Sequence, residues 1–350
     1  MTPTAERLKS DIRAADDPRL RDNSTRNAFV VLGALAVVLA VLPLVANDRF
    51  ETIAVQTLIF AIIAVGWNLM SGYGGLFSFG HAAFFGIGAY TDAYLVVEHG
   101  ISPWIAMVVG AAIAALAGVG IASLCLRYEL AGPYFALATF AFAQLFLLLV
   151  QNLDFLRRTE GFNLPILPEE SFWMLQFERG SDIYVWIPAG LLLVGLAITI
   201  LYVRSRAGQF VQAARDDEVA AASLGINVMR VRLGAVALSC GITSVAGTFY
   251  TQYHFFVGPH QAFGAAVSIE AIIPAVIGGI GTIWGPLVGA LIVGPLAELI
   301  ESVLRDPPGS LSFLQGVAGL DVAVYAALLI VIVLFMRKGI YGTLKDRWRK

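Results

Sequence analysis

Long apolar runs separated by short polar stretches dominate the chain, at about 27–47, 50–70, 77–98, 101–126, 132–152, 183–203, 230–253, 267–282, 285–304 and 320–336. A helix needs roughly 20 such residues to cross a hydrocarbon core about 30 Å thick. The runs are continuous rather than alternating, which favours helices over a barrel. The pattern predicts an all-α polytopic membrane protein with about ten transmembrane helices.

Glycine and proline interrupt two of the runs, GYGGLFSFGHAAFFGIGAY at 72–90 and PAVIGGIGTIWGPLVGA at 274–290. Each predicts a broken or re-entrant helix. Five crossings separate the segment at 50–70 from that at 230–253, so equivalent pieces of two halves would run in opposite directions. That arrangement predicts an inverted repeat, in which paired interruptions near the midplane mark a solute path. The other reading of the same glycines is that they only let helices pack closely, as small residues do in bilayers.

Composition narrows the class. Hydrophobic residues make up 58% of the chain and charged residues 14%, which excludes an ordinary soluble domain. The net charge of −2 carries little meaning as a total, but its distribution does. With the N-terminus inside, 18 of the 23 Lys and Arg fall on the cytosolic side and 5 outside, the bias that the positive-inside rule demands. This predicts a cytosolic tail at 1–26 that is not a signal peptide, a transmembrane domain at 27–336, and a cytosolic tail at 337–350.

One charged stretch, Arg204 to Gly225, lies between apolar segments and opens a cytosolic loop at 204–229. Its alanines favour helix, Arg215, Asp216, Asp217 and Glu218 give it charge, and Gly225 can end the helix at positive φ. A docking element for a cytosolic partner is the expectation. On the other side, the segment at 153–182 carries TEGFNLPILPEE and reads either as a lid or receptor-docking loop or as a plain connector.

No catalytic constellation is present in the sequence. His81, His99, His254 and His260 lack metal-ligand spacing, and Cys125 and Cys240 sit in apolar runs as packing residues. No nucleotide-binding G-x-x-x-x-G-K-[ST] occurs, so any ATPase would be another chain. Polar groups inside a bilayer are costly and become the candidates for a translocation path: Asn68, Ser78, His81, Tyr90, Thr139, Gln144 and Glu270, with Ser71, Asp92, Ser268 and Glu298 beside them. For Asn68, Ser78 and His81 two readings stand, lining a path or bonding to backbone groups freed at the interruption. For Asp92 and Glu270 the alternatives to a path are an interhelical hydrogen bond or exposure near the interface.

Four ordered motifs, SGYGGLFSFGHAAFFGIGAY (71–90), GPYFALATFAFAQL (132–145), RSRAGQFVQAARDDEVAAASLGI (204–226) and IGGIGTIWGPLVGAL (277–291), resemble the permease subunits of branched-chain amino acid ABC importers, of the LivM type. The resemblance covers about residues 50–336. It implies that Ala214, Arg215, Asp216, Glu218, Ala221, Leu224 and Gly225 couple the chain to an ATPase. It also implies a multi-pass bacterial inner-membrane protein with a second homologous permease subunit, two ATP-binding subunits and an extracytoplasmic solute-binding protein as partners, besides lipid and a small-molecule substrate and without nucleic acid. No cofactor is expected on this chain, since ATP and Mg would sit on the partner subunits. Importers of urea, amides and aromatic acids share the permease type. A stand-alone secondary transporter is the rival from another class; it would call for ion-pairing charges within the membrane and no docking helix. The 153–182 segment departs from the family pattern, with bulky Phe162 and Leu164 in TEGFNLPI.

Overall fold

The computed structural model describes residues 18–41, 48–178, 180–305 and 340. The apolar segment at 320–336, most of both predicted tails and the side chain of Glu298 lie outside the described residues.

Within them the apolar runs become helices. The first, α1, is Pro18–Val41, and it extends into the charged stretch read as tail, with proline in its first turn. Helix α2, Asp48–Trp67, widens at its end into a π-turn, Asn68–Tyr73. Then come α3 (His81–His99), α4 (Pro103–Arg127) and α5 (Pro133–Asn152). Pro103 and Pro133 each open a helix, where a missing N–H costs nothing. The remaining long helices are α6 (Ile183–Arg204), then the short α7 (Arg206–Asp216) and α8 (Glu218–Ser223), and α9 (Val228–His254). After α10 (Pro259–Phe263), α11 (Ala265–Gly278) and α12 (Gly285–Arg305) complete the order.

Among the described residues six helices are long and apolar enough to cross a membrane, beginning at Glu51, Pro103, Pro133, Ile183, Val228 and Pro259. The span from Glu51 runs unbroken to Tyr73. The first glycine-rich interruption therefore follows a complete span rather than halving one, and sits at a helix end.

Helix α9 packs against α2, α3 and α4, while α2 also contacts α6, α11 and α12. Helix α3 is enclosed on most sides and carries the buried Asp92. Its approach to α9 is close because Gly88 and Gly247 would each drive a β-carbon into the other helix's backbone. Cys125 and Cys240 are free and buried, as packing residues should be.

A two-residue ribbon closes one end of the bundle. Strand β1 (Phe162–Asn163) pairs antiparallel with β2 (Phe256–Val257), bringing Phe162 opposite Val257. The 153–182 segment is tied down further: Gln176 donates to the Pro165 carbonyl and accepts from Leu167 N–H, and Trp104 donates to the Phe172 carbonyl. It is a packed cover rather than a loose connector. Phe162 is fully buried against Tyr90, so the bulky residue that departs from the family pattern serves the core.

Candidate functional site

The two glycine-rich interruptions meet each other. A π-turn and a helix end both leave backbone groups without partners, and one buried amide satisfies two of them. Asn68 donates through Nδ2 to the Thr282 carbonyl at 2.9 Å and accepts from Gly281 N–H at 2.7 Å. Thr282 in turn donates to the Gly279 carbonyl and accepts from Gly285 N–H, which starts α12.

The charged insert reaches the same place. Arg215, in the last turn of α7, donates from Nη1 to the Gly72 carbonyl at 2.8 Å, and its Nε and Nη2 hold Asp216. A cation is favourable at the carbonyl end of a helix. Gly75 and Gly281 make room for it: a β-carbon at Gly75 would lie 2.7 Å from Arg215 Cγ, and one at Gly281 3.1 Å from Nη1. Both glycines also have positive φ, 71° and 72°.

The insert was expected as one helix and is two. Asp217 is extended, and its carboxylate caps α8 by accepting from Ala220 N–H at 2.9 Å. Aspartate stabilises such a cap better than a helix interior. Arg232 of α9 clamps the pair, donating to Glu218 at 2.8 Å and to the Ala214 carbonyl at 3.3 Å. Gly225 ends the insert at φ 83°, as its sequence position suggested.

Of the residues expected to couple to an ATPase, Ala214 and Ala221 are buried, and Arg215, exposed overall, reaches the Gly72 carbonyl with one nitrogen. Asp216, Glu218 and Leu224 remain outward, with Leu224 83% exposed. The sequence reading missed two further apolar residues on this surface, Val219 at 76% and Phe210 at 44% exposure.

The path candidates divide. Ser78 and His81 are buried in a chain of hydrogen bonds that fixes the imidazole. Ser239 Oγ lies 2.6 Å from the Gly66 carbonyl, which can only accept, so its one proton is spent there. The contact of 3.0 Å between His81 Nε2 and Ser239 Oγ must then be donated by the ring. In a neutral imidazole Nδ1 accepts, and Ser78 Oγ supplies that proton at 3.2 Å. Thr139 accepts from Phe79 N–H, Ser71 bridges Leu76 and Ser78, and Ser268 accepts from Ala82 N–H. Asn68, Ser71, Ser78 and Thr139 thus bond backbone groups of the two interruptions, and Ser268 serves the first turn of α3, whereas both contacts of His81 are to side chains.

Tyr90 lies apart from them, between Phe162 and Phe263. Gln144 and Glu270 are half-buried on α5 and α11. Asp92 accepts from Gln252 of α9 at 2.6 Å, an interhelical hydrogen bond. Sequence reasoning missed Ser239 and Gln252. Their signal was a polar stripe at helical spacing along α9, comprising Ser239, Thr243, Ser244, Thr248, Thr251 and Gln252, all fully buried.

At the β1–β2 end two hollows share Phe255 as a wall. One, of about 430 Å³, is lined by Glu51, Thr52, Tyr184, Tyr253 and His254. The other, of about 520 Å³, lies under Ile166–Glu170 and Gln176–Glu178.

Residues 49–335 match the family described as "Branched-chain amino acid transport system / permease component". Over 304 residues, 80% of this chain and 70% of the relative, the sequence is 29% identical to the high-affinity branched-chain amino acid transport system permease protein LivM of Salmonella typhimurium. It is 28% identical over 301 residues to LivH of Escherichia coli, covering 81% of this chain and 91% of that one. The fructose import permease protein FrcC of Rhizobium meliloti is 33% identical over 145 residues, 39% of each chain. No solved structure matches the chain.

Proposed function

The chain belongs to the family of branched-chain amino acid transport permease components, and from that membership we propose that it is the membrane subunit of an ATP-driven importer. It moves branched-chain or related amino acids across the bacterial inner membrane by alternating access. It performs no covalent chemistry; ATP and Mg are bound and turned over by two cytosolic partner subunits. A second homologous permease completes the membrane domain, as the similarity to both LivM and LivH suggests, and a solute-binding protein delivers the substrate on the far side.

The observation that carries this reading is the α7–α8 insert. It is clamped by Arg232, presents exposed Val219 and Leu224, and is bonded through Arg215 to an interrupted span. A surface of that kind fits a partner that pushes or pulls on the membrane helices. With the insert in the cytosol, alternation along the chain puts the 153–182 cover and the two hollows at that end of the bundle on the outer face, where solute arrives. Ten crossings, an inverted repeat and cytosolic tails at 1–26 and 337–350 complete the proposed topology; the meeting of the two interruptions through Asn68 supports the repeat.

The test is to purify the chain with its native partners in lipid nanodiscs and measure ATP hydrolysis with a panel of amino acids, urea, amides and aromatic acids. Retained ATP-binding subunits with stimulation by branched-chain amino acids is the expected result. Stimulation by another solute class keeps the importer and changes its cargo. A chain that purifies alone and still moves solute into liposomes overturns the reading in favour of a secondary carrier.

A further inference from the structure

The interior side of the insert carries more information than its exposed side. Arg215 belongs to the segment expected to dock an ATPase and is exposed overall, yet one nitrogen of its guanidinium reaches into the bundle. Its side chain is only 35% exposed, its stem fills the space left by Gly75, and Nη1 lies on the Gly72 carbonyl with Gly281 against it. Asp216 occupies the other two nitrogens, which fixes the fork and leaves Nη1 free to point inward. One side chain of the insert therefore touches both interruptions, and Asn68 ties those interruptions to each other.

We infer that Arg215 is a transmission pin rather than a docking residue: it locks the cytosolic insert to the paired interruptions, so that displacement of the insert is carried into the ends of α2, α11 and α12. The inference rests on the importer reading and adds a residue-level route to it. The geometry makes the pin sensitive. At 2.8 Å the Nη1 to Gly72 bond has little slack; a shift of about 1 Å between the two bodies stretches it beyond hydrogen-bonding range. The insert then either drags the π-turn with it or lets go. Lysine cannot replace the arginine fully, because one ammonium cannot hold Asp216 through two nitrogens and reach Gly72 with a third.

The experiment compares wild type, Arg215→Ala, Arg215→Lys and Leu224→Asp in the complete complex in nanodiscs. It scores retention of the ATP-binding subunits, basal and solute-stimulated hydrolysis, and uptake. A charged hydrogen bond is worth enough to expect a loss of roughly tenfold or more in stimulated hydrolysis and uptake for Arg215→Ala, with the ATP-binding subunits retained. Arg215→Lys falls between. Leu224→Asp gives the reverse, shedding the subunits. Amide hydrogen exchange on the permease chain supplies a measurement that needs no ATPase: Arg215→Ala should raise exchange at residues 68–75 and 279–282 together with the insert. If Arg215→Ala sheds the ATP-binding subunits while exchange at the interruptions stays at the wild-type level, Arg215 is a docking residue and the pin is refuted, although the importer stands. Unchanged uptake in Arg215→Ala refutes it equally. If the wild-type chain retains no ATP-binding subunit, the importer reading fails, and the exchange data alone decide whether Arg215 holds the interruptions.

Discussion

Replacing Asn68 by leucine is the most direct perturbation of the junction. The two side chains are similar in size, so little packing is lost, but the leucine can neither accept from Gly281 N–H nor donate to the Thr282 carbonyl. An unsatisfied buried polar group costs about 1–3 kcal/mol. Gly281 and Thr282 are half-buried rather than fully enclosed, so water can reach part of the way, and the lower half of that range applies. Two groups then give a loss of about 2–4 kcal/mol. At roughly 1.4 °C per kcal/mol for a chain of this size, thermal unfolding in a fixed detergent should move down by about 3–6 °C. Asn68→Asp is the informative companion. It keeps an acceptor for Gly281 but turns a carboxylate oxygen toward the Thr282 carbonyl, opposing two acceptors, and should be at least as damaging as leucine. Asn68→Gln has no room, because Gly72 lies directly against the amide. A leucine variant that unfolds within about 1 °C of wild type, with aspartate no worse, would show that the clasp between the interruptions carries no weight.

His81→Ala should lower stability and yield through the loss of the bonds to Ser78 and Ser239, while the folded fraction keeps its apparent KM for solute; a changed KM at unchanged stability would return His81 to the path. Gly225→Val places a β-branched residue at φ 83° in open space, costing about 1–2 kcal/mol from the backbone alone; insertion should persist while solute-stimulated hydrolysis falls, and Gly225→Asn, which tolerates that region, should recover it. Phe162→Ala removes a fully buried ring and should cost about 3–5 kcal/mol in an unfolding assay without altering which solutes are transported; a shifted solute preference would put Phe162 at the path after all.

Helix positions were legible because a bilayer demands uninterrupted apolar runs, and α4, α5, α6 and α9 begin and end within a few residues of where those runs do. What the runs could not express is depth. Asn68 through Tyr73 continue the helix as a π-turn, so the interruption begins later than the glycines alone indicate and sits at a helix end. The consecutive charges from Arg215 to Glu218 cannot share one helix face at 100° per residue, and the structure resolves the conflict by starting a new helix at Asp217. Inward and outward faces of the insert were likewise hidden: nothing local distinguishes Arg215, which turns to Gly72, from Asp216, which does not. The partners of Asn68 and His81 lie 213 and 158 residues away. Contacts of that kind depend on the packing of whole helices, and one sequence gives only a list of polar residues that need partners.

That need also explains why the polar residues gather where they do. Two glycine-rich interruptions at helix ends free N–H and C=O groups that the helices themselves no longer satisfy. Side chains from four separate elements serve them and the adjoining start of α3: Asn68 from the end of α2, Ser268 from α11, Thr139 from α5, and Arg215 from the insert. Three of these donors or acceptors are buried in the bundle and move only with its helices. Arg215 is different, because its helix lies at the surface, carries exposed Phe210 and adjoins α8 with exposed Val219 and Leu224. A force on that surface therefore acts on the one side chain whose release leaves the Gly72 carbonyl to find another donor. The interruptions are held in place both by the fold and by the insert, and the alternating access proposed for this chain would use a contact of that exchangeable kind.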